Sequence, residues 1–270
     1  MEKFSCQAIV LDLRDYGEAD LIVSLFSPKL GKLQAIAKSA RKSKRRFVNK
    51  LETFTLLYAV LRPSRAGLPL LEEAELVNSF LRLRQHADLY ATATLFREFL
   101  IAAVHEGDSD AEMFSLSLWA LDSLDRANQG CKDLPCRAVA AQFLVRYFDR
   151  IGYRPELEHC QKCGKAMTAG AAWLFSAVRG GVVCPSCAAD PATGQGQFGG
   201  PPGGQTVQPG TAKFLSSSQD APLSHLHRLK ITPAPLAEAL HILWRYGNAV
   251  LGREIVSWRL FWQLTGTQSR

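Results

Sequence analysis

The hydrophobic pattern of this 270-residue chain changes its period near Asn78, and this change restricts the possible folds of the chain more than any other feature. Before Asn78, short apolar or alternating segments are separated by turn residues, which is typical of strands. The predicted strands are Phe4–Leu13, Asp20–Phe26, Lys32–Ala37, Phe54–Arg62 and Leu70–Val77. This length leaves no room for crossover helices, so residues 1–78 are predicted to form a small closed barrel.

Two barrel types fit five short strands. The five-stranded oligonucleotide-binding (OB) fold is the first candidate, and an SH3-like barrel is the alternative. After Asn78, apolar residues recur every three to four positions, which predicts helices. Residues 79–270 are therefore predicted to form a helical domain, and the whole chain belongs to the α+β class. Ser109 and Glu112 have the spacing of a capping box for a helix that follows them.

Two further segments of the predicted helical domain have unusual composition. Residues 188–211 are rich in glycine and proline and predict a flexible surface loop. The C-terminal end carries four large aromatic side chains, Trp244, Trp258, Phe261 and Trp262. These predict that the last helices dock onto the helical core, with an exposed groove for a partner as the alternative.

Four cysteines form two C-x2-C pairs with twenty residues between them. They are Cys160, Cys163, Cys184 and Cys187. This spacing is typical of a zinc ribbon, here at about residues 158–190. Four thiolates favour structural zinc, with an iron centre as the alternative. Because four protein ligands leave no position for water, the predicted role of the metal is structural.

A basic run lies between the third and fourth predicted strands. It contains Lys38, Arg41, Lys42, Lys44, Arg45, Arg46 and Lys50, and no acid. We call residues 38–50 the basic loop. Together with a net charge of +7, it favours a polyanion such as nucleic acid, because many phosphate contacts add. The alternative is a solvated charge run. Phe47 either stacks on a base or packs under the loop.

No pattern for catalysis stands out in the sequence. Phosphate-binding glycine motifs and the G-x-S-x-G nucleophile motif are missing, and the six histidines are scattered. We therefore predict that the chain is not an enzyme, with a nuclease or transferase of unrecognised carboxylates as the alternative. No apolar run is long enough for a membrane span, and the N-terminus lacks the features of a signal peptide. These features predict a cytoplasmic protein with reduced thiols.

Several stretches resemble the bacterial DNA repair protein RecO family. The resemblance is carried by Ala8–Leu11, Tyr16–Asp20, Leu30–Lys32, Ala37–Arg41, Ile151–Leu157 and Leu251–Glu254 with Ser257. Their order spans nearly the whole chain. One departure is Ser39, which stands where the family usually has glycine.

The resemblance implies an OB-fold-like barrel, a helical domain and an inserted four-cysteine zinc ribbon. It also implies binding of single- and double-stranded DNA and annealing of complementary strands that single-strand-binding protein coats. With RecR, such proteins help to load RecA, and they consume no nucleotide. A nucleoid-associated protein in the cytoplasm is expected. The alternative function is that of a zinc-ribbon RNA-binding or transcription-associated factor.

Overall fold

The computed structural model describes residues 2–65, 67–126, 136–189 and 204–266. Two compact units divide the chain, Met1–Asp125 and Arg126–Arg270. The domain boundary predicted after residue 78 falls inside the first unit, because that unit contains helices as well as the barrel. In the part of the chain that the structure describes, no helix is long and apolar enough to cross a membrane.

The five strands of the first unit form a closed barrel. They are β1 (Phe4–Tyr16), β2 (Asp20–Ser27), β3 (Gly31–Ala37), β4 (Leu56–Arg62) and β5 (Leu70–Asn78). The strand order is β1-β2-β3-β5-β4, so β5 inserts between β3 and β4. This order confirms the predicted closed barrel and fits the Greek-key OB type.

Alternation along the strands explains why the barrel closes around a core. The inward positions of the first three strands carry mostly small or branched side chains, which are Ala8, Val10, Val23, Leu25, Ala35 and Ala37. Small side chains suit a narrow barrel, because little space lies between facing strands. A bulge between Val10 and Asp12 bends β1 as it pairs with β2.

Three helices complete the first unit. They are α1 (Leu81–Gln85), α2 (Ala87–Ala103) and α3 (Ala111–Arg126). His86 has extended backbone angles and separates the first two. The helices pack on the barrel, where the rings of Phe26 and Phe114 lie 5.5 Å apart. The cap of α3 is Asp110, whose Oδ1 accepts from the Met113 N–H at 2.9 Å. The prediction of Ser109 as the cap was therefore wrong by one residue.

Gly31 lies where β3 approaches the connection between α2 and α3. Its φ is +63°, and a Cβ there would lie 2.3 Å from the Asp108 carbonyl oxygen and 2.6 Å from that of His105. Backbone hydrogen bonds join the same segments, from Lys32 N–H to the His105 oxygen and from Gly107 N–H to the Leu30 oxygen, each 3.1 Å long. Only glycine satisfies both the backbone angle and the close approach.

The second unit combines a helical core with a small three-stranded sheet. Its helices are α4 (Cys136–Arg150), α5 (Pro185–Ala188), α6 (Pro209–Asp220), α7 (Pro233–Leu251) and α8 (Ser257–Thr265), with a 3-10 helix at Leu223–Arg228. Its strands are β6 (Trp173–Ser176), β7 (Gly181–Val183) and β8 (Gln205–Val207), in the order β7-β6-β8.

Part of the segment predicted to be a flexible loop forms regular structure. β8 pairs with β6, where Trp173 is opposite Val207, and α6 begins at Pro209. The loop prediction was therefore wrong for residues 205–211, because the partner strand supplies hydrogen bonds that composition does not reveal. Residues 190–203 of that prediction lie outside the described residues.

The small sheet packs on the helical core through Tyr246 of α7. Its ring meets Phe175 of β6 at 5.5 Å and Phe148 of α4 at 4.9 Å. The Tyr246 hydroxyl donates to the Tyr153 carbonyl oxygen at 2.9 Å. Burial raises the pKa of this hydroxyl to about 12, so it stays protonated and keeps this bond. The sheet is thus an integral part of the second unit.

Candidate nucleic-acid interface and metal centre

The four predicted cysteine ligands meet at one point of the second unit. The sulfur atoms of Cys160, Cys163, Cys184 and Cys187 all lie within 4.8 Å of one another. The Cys163 and Cys184 sulfurs are 3.7 Å apart. A tetrahedral zinc with Zn–S bonds of about 2.3 Å has sulfur pairs about 3.8 Å apart. The spacing of the sulfurs therefore fits a tetrahedral four-thiolate metal site.

Two backbone turns position these sulfurs. In the first, the Gly164 N–H donates to the Cys160 carbonyl oxygen at 2.8 Å, and Gly164 has a φ of +72°. In the second, Cys184 precedes the first turn of α5, and the Ala188 N–H donates to its carbonyl oxygen at 2.9 Å. The Cys184 N–H also donates to the Cys160 sulfur at 3.3 Å, which ties the two turns together.

The pKa shifts of two of the thiols, Cys160 and Cys187, fit a site for a cation. Burial opposes ionisation of Cys160, but N–H groups of Cys184, Cys163 and Lys162 donate to its sulfur and lower its pKa to about 6. A hydrogen bond with the Cys184 side chain and burial raise the pKa of Cys187 to about 12. Without a cation, hydrogen bonds among the crowded sulfurs and burial thus oppose ionisation of Cys187. A bound metal ion would compensate all four charges.

The basic loop joins β3 to β4 in the first unit and begins with a short 3-10 turn at Ala40–Lys42. Six of its seven cations are exposed, and Lys50 is half-buried. The exposed ones are Lys38, Arg41, Lys42, Lys44, Arg45 and Arg46. The structure thus presents these cations to solvent on one continuous segment, and their contact with nucleic acid stays a prediction.

Two apolar side chains fix the basic loop and its C-terminal flank to the barrel. Phe47 and Leu51 are buried and belong to the barrel core. The guanidinium of Arg46 lies 5.0 Å from the centre of the Phe47 ring and donates to the Lys38 carbonyl oxygen at 3.0 Å. Phe47 therefore packs under the loop and is not free to stack on a base.

Two acidic residues at the strand ends that flank the β1–β2 turn contact the basic loop, which the sequence analysis did not predict. Asp15 forms an ion pair with Arg41 at 3.3 Å. Asp20 accepts a hydrogen bond of 2.7 Å from the N–H of Ser39, which has a left-handed φ of +53°. Asp20 thus stabilises a backbone angle that favours glycine. Antiparallel pairing of β2 with β3 was the available signal, since it places Leu21 opposite Ala37.

Two family models together match nearly the whole length of the chain. The model for the N-terminal part of recombination protein O matches residues 1–80, and the model for its C-terminal part matches residues 84–259. The chain belongs to the RecO family. This confirms the resemblance that the sequence motifs indicated.

Curated relatives agree with this assignment. A protein named DNA repair protein RecO from Syntrophobacter fumaroxidans (strain DSM 10017 / MPOB) is 37% identical over 185 residues, which cover 68% of this chain and 71% of the relative. One of the same name from Desulfitobacterium hafniense (strain DSM 10664 / DCB-2) is 29% identical over 263 residues, 96% of this chain and 89% of the relative. A third, from Roseiflexus sp. (strain RS-1), is 31% identical over 252 residues, covering 93% and 82%.

The two RecO family models divide the chain near the end of the barrel. The N-terminal model stops at residue 80, two residues beyond the end of β5 at Asn78. The four clustered cysteines lie within the C-terminal model. The basic loop therefore lies within the N-terminal family model, and the cysteine cluster lies within the C-terminal one. Each model also covers the strands and turns that position the side chains of its site.

Proposed function

We propose that this chain is a non-enzymatic mediator of DNA repair and recombination, which binds single- and double-stranded DNA and anneals complementary strands. Its membership of the RecO family supports a role in DNA repair. The observation that carries the proposal is the basic loop itself. Its cations are exposed on a segment that Phe47 anchors to the barrel, so the position of these charges relative to the barrel is fixed.

The chemistry of the basic loop suits phosphate contacts rather than reading of bases. Lysine and arginine neutralise phosphates and release counterions, and this interaction depends little on sequence. The one aromatic residue of the loop, Phe47, is buried, so the loop offers no ring to an unpaired base. A cationic surface also lowers the repulsion between two phosphate backbones, which is the physical requirement for annealing.

The proposed partners follow from the family. We propose that the chain acts with RecR on DNA coated by single-strand-binding protein, and that this helps to load RecA. The place of action would be the cytoplasm, in association with the nucleoid. The alternative, an RNA-binding or transcription-associated factor with a zinc ribbon, predicts tighter binding of RNA and no annealing of DNA strands.

We further propose that Cys160, Cys163, Cys184 and Cys187 bind one zinc ion with a structural role. The sulfur spacing and the four-thiolate donor set support zinc, and an iron centre is the alternative. The residues outside the first unit would then fold around this ion. Elemental analysis of protein purified without chelator tests this. One zinc per chain is the expected result, and protein that contains neither zinc nor iron would contradict the proposal.

The decisive test of the DNA role replaces Arg45 and Arg46 with alanine. We expect weaker binding of all DNA sequences to a similar degree, because phosphate contacts are lost. The log–log slope of affinity against salt should flatten by roughly 0.7 for each lost single-strand contact. Annealing should fall in parallel. Titrations at several salt concentrations and an annealing assay measure these effects.

A control variant that loses two positive charges outside the basic loop shows whether the effect is specific to the loop. Lys29 and Lys213 are exposed and lie in the β2–β3 turn and in α6. The Lys29→Ala/Lys213→Ala variant should keep most of the affinity and the salt slope. If both variants lose affinity equally, total charge rather than the basic loop binds DNA. An unchanged slope and intact annealing in the Arg45→Ala/Arg46→Ala variant would show a solvated charge run.

A further inference from the structure

A column of aromatic rings lies in the second unit and joins α7 to α8. The ring of Trp262 is nearly parallel to that of His241 at 4.8 Å and to that of Trp258 at 5.6 Å, with interplanar angles of 19° in both cases. We call these three residues the aromatic column. Trp244 meets His241 edge-on at 6.0 Å, and Arg137 of α4 lies 5.4 Å from the centre of the Trp262 ring.

The two ends of the aromatic column differ in exposure. Trp258 is 2% exposed and packs edge-on against Phe261, which is fully buried. Trp262 and Trp244 are half-buried, and His241 is exposed. The Trp258 end therefore anchors α8 on the helical core, as the sequence predicted. The His241 end reaches solvent, which core packing alone does not require.

The exposed end of the aromatic column lies among cations. Burial and the charges of Arg137 and Arg245 lower the pKa of His241, so this imidazole is neutral at pH 7. Arg259 of α8 is also exposed. A histidine ring whose neutral form is favoured thus lies near the charges of Arg137 and Arg245, and the buried Nε of Arg137 has no hydrogen-bond partner within the described residues.

We propose that this cluster is a second contact surface for single-stranded DNA, where an unpaired base stacks on His241 beside Trp244 and phosphates bind Arg137 and Arg245. Flat rings beside cations are the combination by which proteins hold single strands without sequence preference. Paired bases keep their faces inside the duplex, so this surface selects unpaired strands. The proposal rests on the proposed function for the choice of DNA and adds base stacking, which the basic loop lacks.

The test isolates this surface in full-length protein that carries Arg45→Ala/Arg46→Ala. His241→Ala/Arg245→Ala is added to this background and compared with His227→Ala/Arg228→Ala. The control residues are an exposed histidine and arginine of the 3-10 helix, so both pairs remove the same chemical groups. Two oligonucleotides of equal length serve as probes, one of deoxythymidine and one with abasic sites. Both carry the same phosphate charge.

We expect His241→Ala/Arg245→Ala to weaken binding of the thymidine oligonucleotide by about five- to tenfold, as loss of one stacked base does. The abasic oligonucleotide should lose much less, and the control pair should change neither affinity. Photocrosslinking of an iodouracil oligonucleotide to the unmodified protein should label peptides of α7 or α8. Circular dichroism checks that each variant is folded.

Four results would overturn the proposal. Equal losses on both oligonucleotides would show a charge effect without stacking. Unchanged affinity, while the protein with an intact basic loop binds DNA, would remove this surface and leave the proposed function in place. Failure of the unmodified protein to bind either oligonucleotide would remove both. An acidic peptide with aromatic residues tests a protein partner. If His241→Ala/Arg245→Ala abolishes binding of this peptide and leaves DNA affinity intact, the face would instead belong to a protein partner.

Discussion

Backbone turns position the sulfurs of the cysteine cluster, whereas buried side chains anchor the basic loop, and the two sites distribute their charged groups in opposite ways. The cluster gathers four sulfurs within 4.8 Å of one another, where each ligand completes a closed set. The loop spreads six exposed cations along a segment, and in the proposed DNA complex each would add a separate contact. Losing one ligand should therefore destroy the proposed metal site, whereas losing one cation should only weaken the proposed DNA site. The variants below test this contrast.

The largest effect is expected at the cysteine cluster. Metal binding contributes folding free energy on the order of 10 kcal/mol in isolated zinc modules. Cys163→Ser should therefore remove most of this contribution and lower metal content and solubility together. Metal analysis and the yield of soluble protein measure it. Cys136→Ser, a thiol outside the cluster, should keep its metal. Full metal content in Cys163→Ser protein would show that three ligands suffice.

The next effect concerns Phe47, the buried anchor of the basic loop. Like loss of one cysteine of the cluster, and unlike loss of one cation, loss of this side chain should disturb its whole site. Phe47→Ala should destabilise the protein by about 3–5 kcal/mol, as expected for loss of a buried phenylalanine. DNA affinity should also fall, although no charge is removed. Val48 is exposed, so Val48→Ala should change stability by less than about 0.5 kcal/mol. Urea unfolding and DNA titration at low temperature measure both. Intact affinity in folded Phe47→Ala protein would show that the anchor is dispensable.

A smaller effect is expected at the close approach of β3 to the α2–α3 connection. Gly31→Ala combines a left-handed backbone angle with a clash against two carbonyl oxygens, and should destabilise by about 2–3 kcal/mol. Gly17 has nearly the same φ, +62°, but no atom lies within 4 Å of its added Cβ. Gly17→Ala should therefore lose only about 1 kcal/mol. Thermal unfolding of both variants isolates the clash, and equal losses would mean that the backbone shifts freely.

The smallest effect has the opposite sign. Asp15 is paired with Arg41, so Asp15→Asn should release this cation for phosphate binding and strengthen DNA binding. Surface ion pairs are worth less than about 1 kcal/mol, so the gain should stay below about fivefold. Glu18→Gln removes an exposed acid of the adjacent β1–β2 turn that forms no ion pair with the basic loop among the described residues, and should gain less. Equal gains would indicate a general charge effect instead of a specific pair.

Local patterns in the sequence predicted the strands well, because each is an apolar or alternating segment that ends at turn residues. They failed where a partner distant in sequence decides the structure. β8 consists of Gln205–Val207, which is too short and too polar to stand out, and it forms because β6 supplies its hydrogen bonds. The cap of α3 depends on which of two adjacent polar residues turns its side chain inward, and Asp110 does so.

The two candidate sites were predictable to different degrees, because local patterns do not show partners that are distant in sequence. The C-x2-C spacing fixes the ligands of a tetrahedral site, so the sequence named all four members of the cluster. The basic loop was visible as a run of like charge, but its acidic neighbours come from the preceding hairpin. The contacts of Asp15 and Asp20 depend on the pairing of β2 with β3, and a count of charges along the chain does not show them.

The barrel is closed much more weakly along one line than along the others. Between β3 and β5 a single register pair forms, Ile36 with Leu70, and the Ile36 N–H also donates to the Pro69 oxygen at 2.9 Å. β1, by contrast, is paired along its length with β2 and β4. Breathing motions of the barrel should therefore begin at this seam, where amide hydrogens will exchange fastest with solvent. Because β3 leads directly into the basic loop, each opening of the seam would also loosen the N-terminal connection of the loop to the barrel.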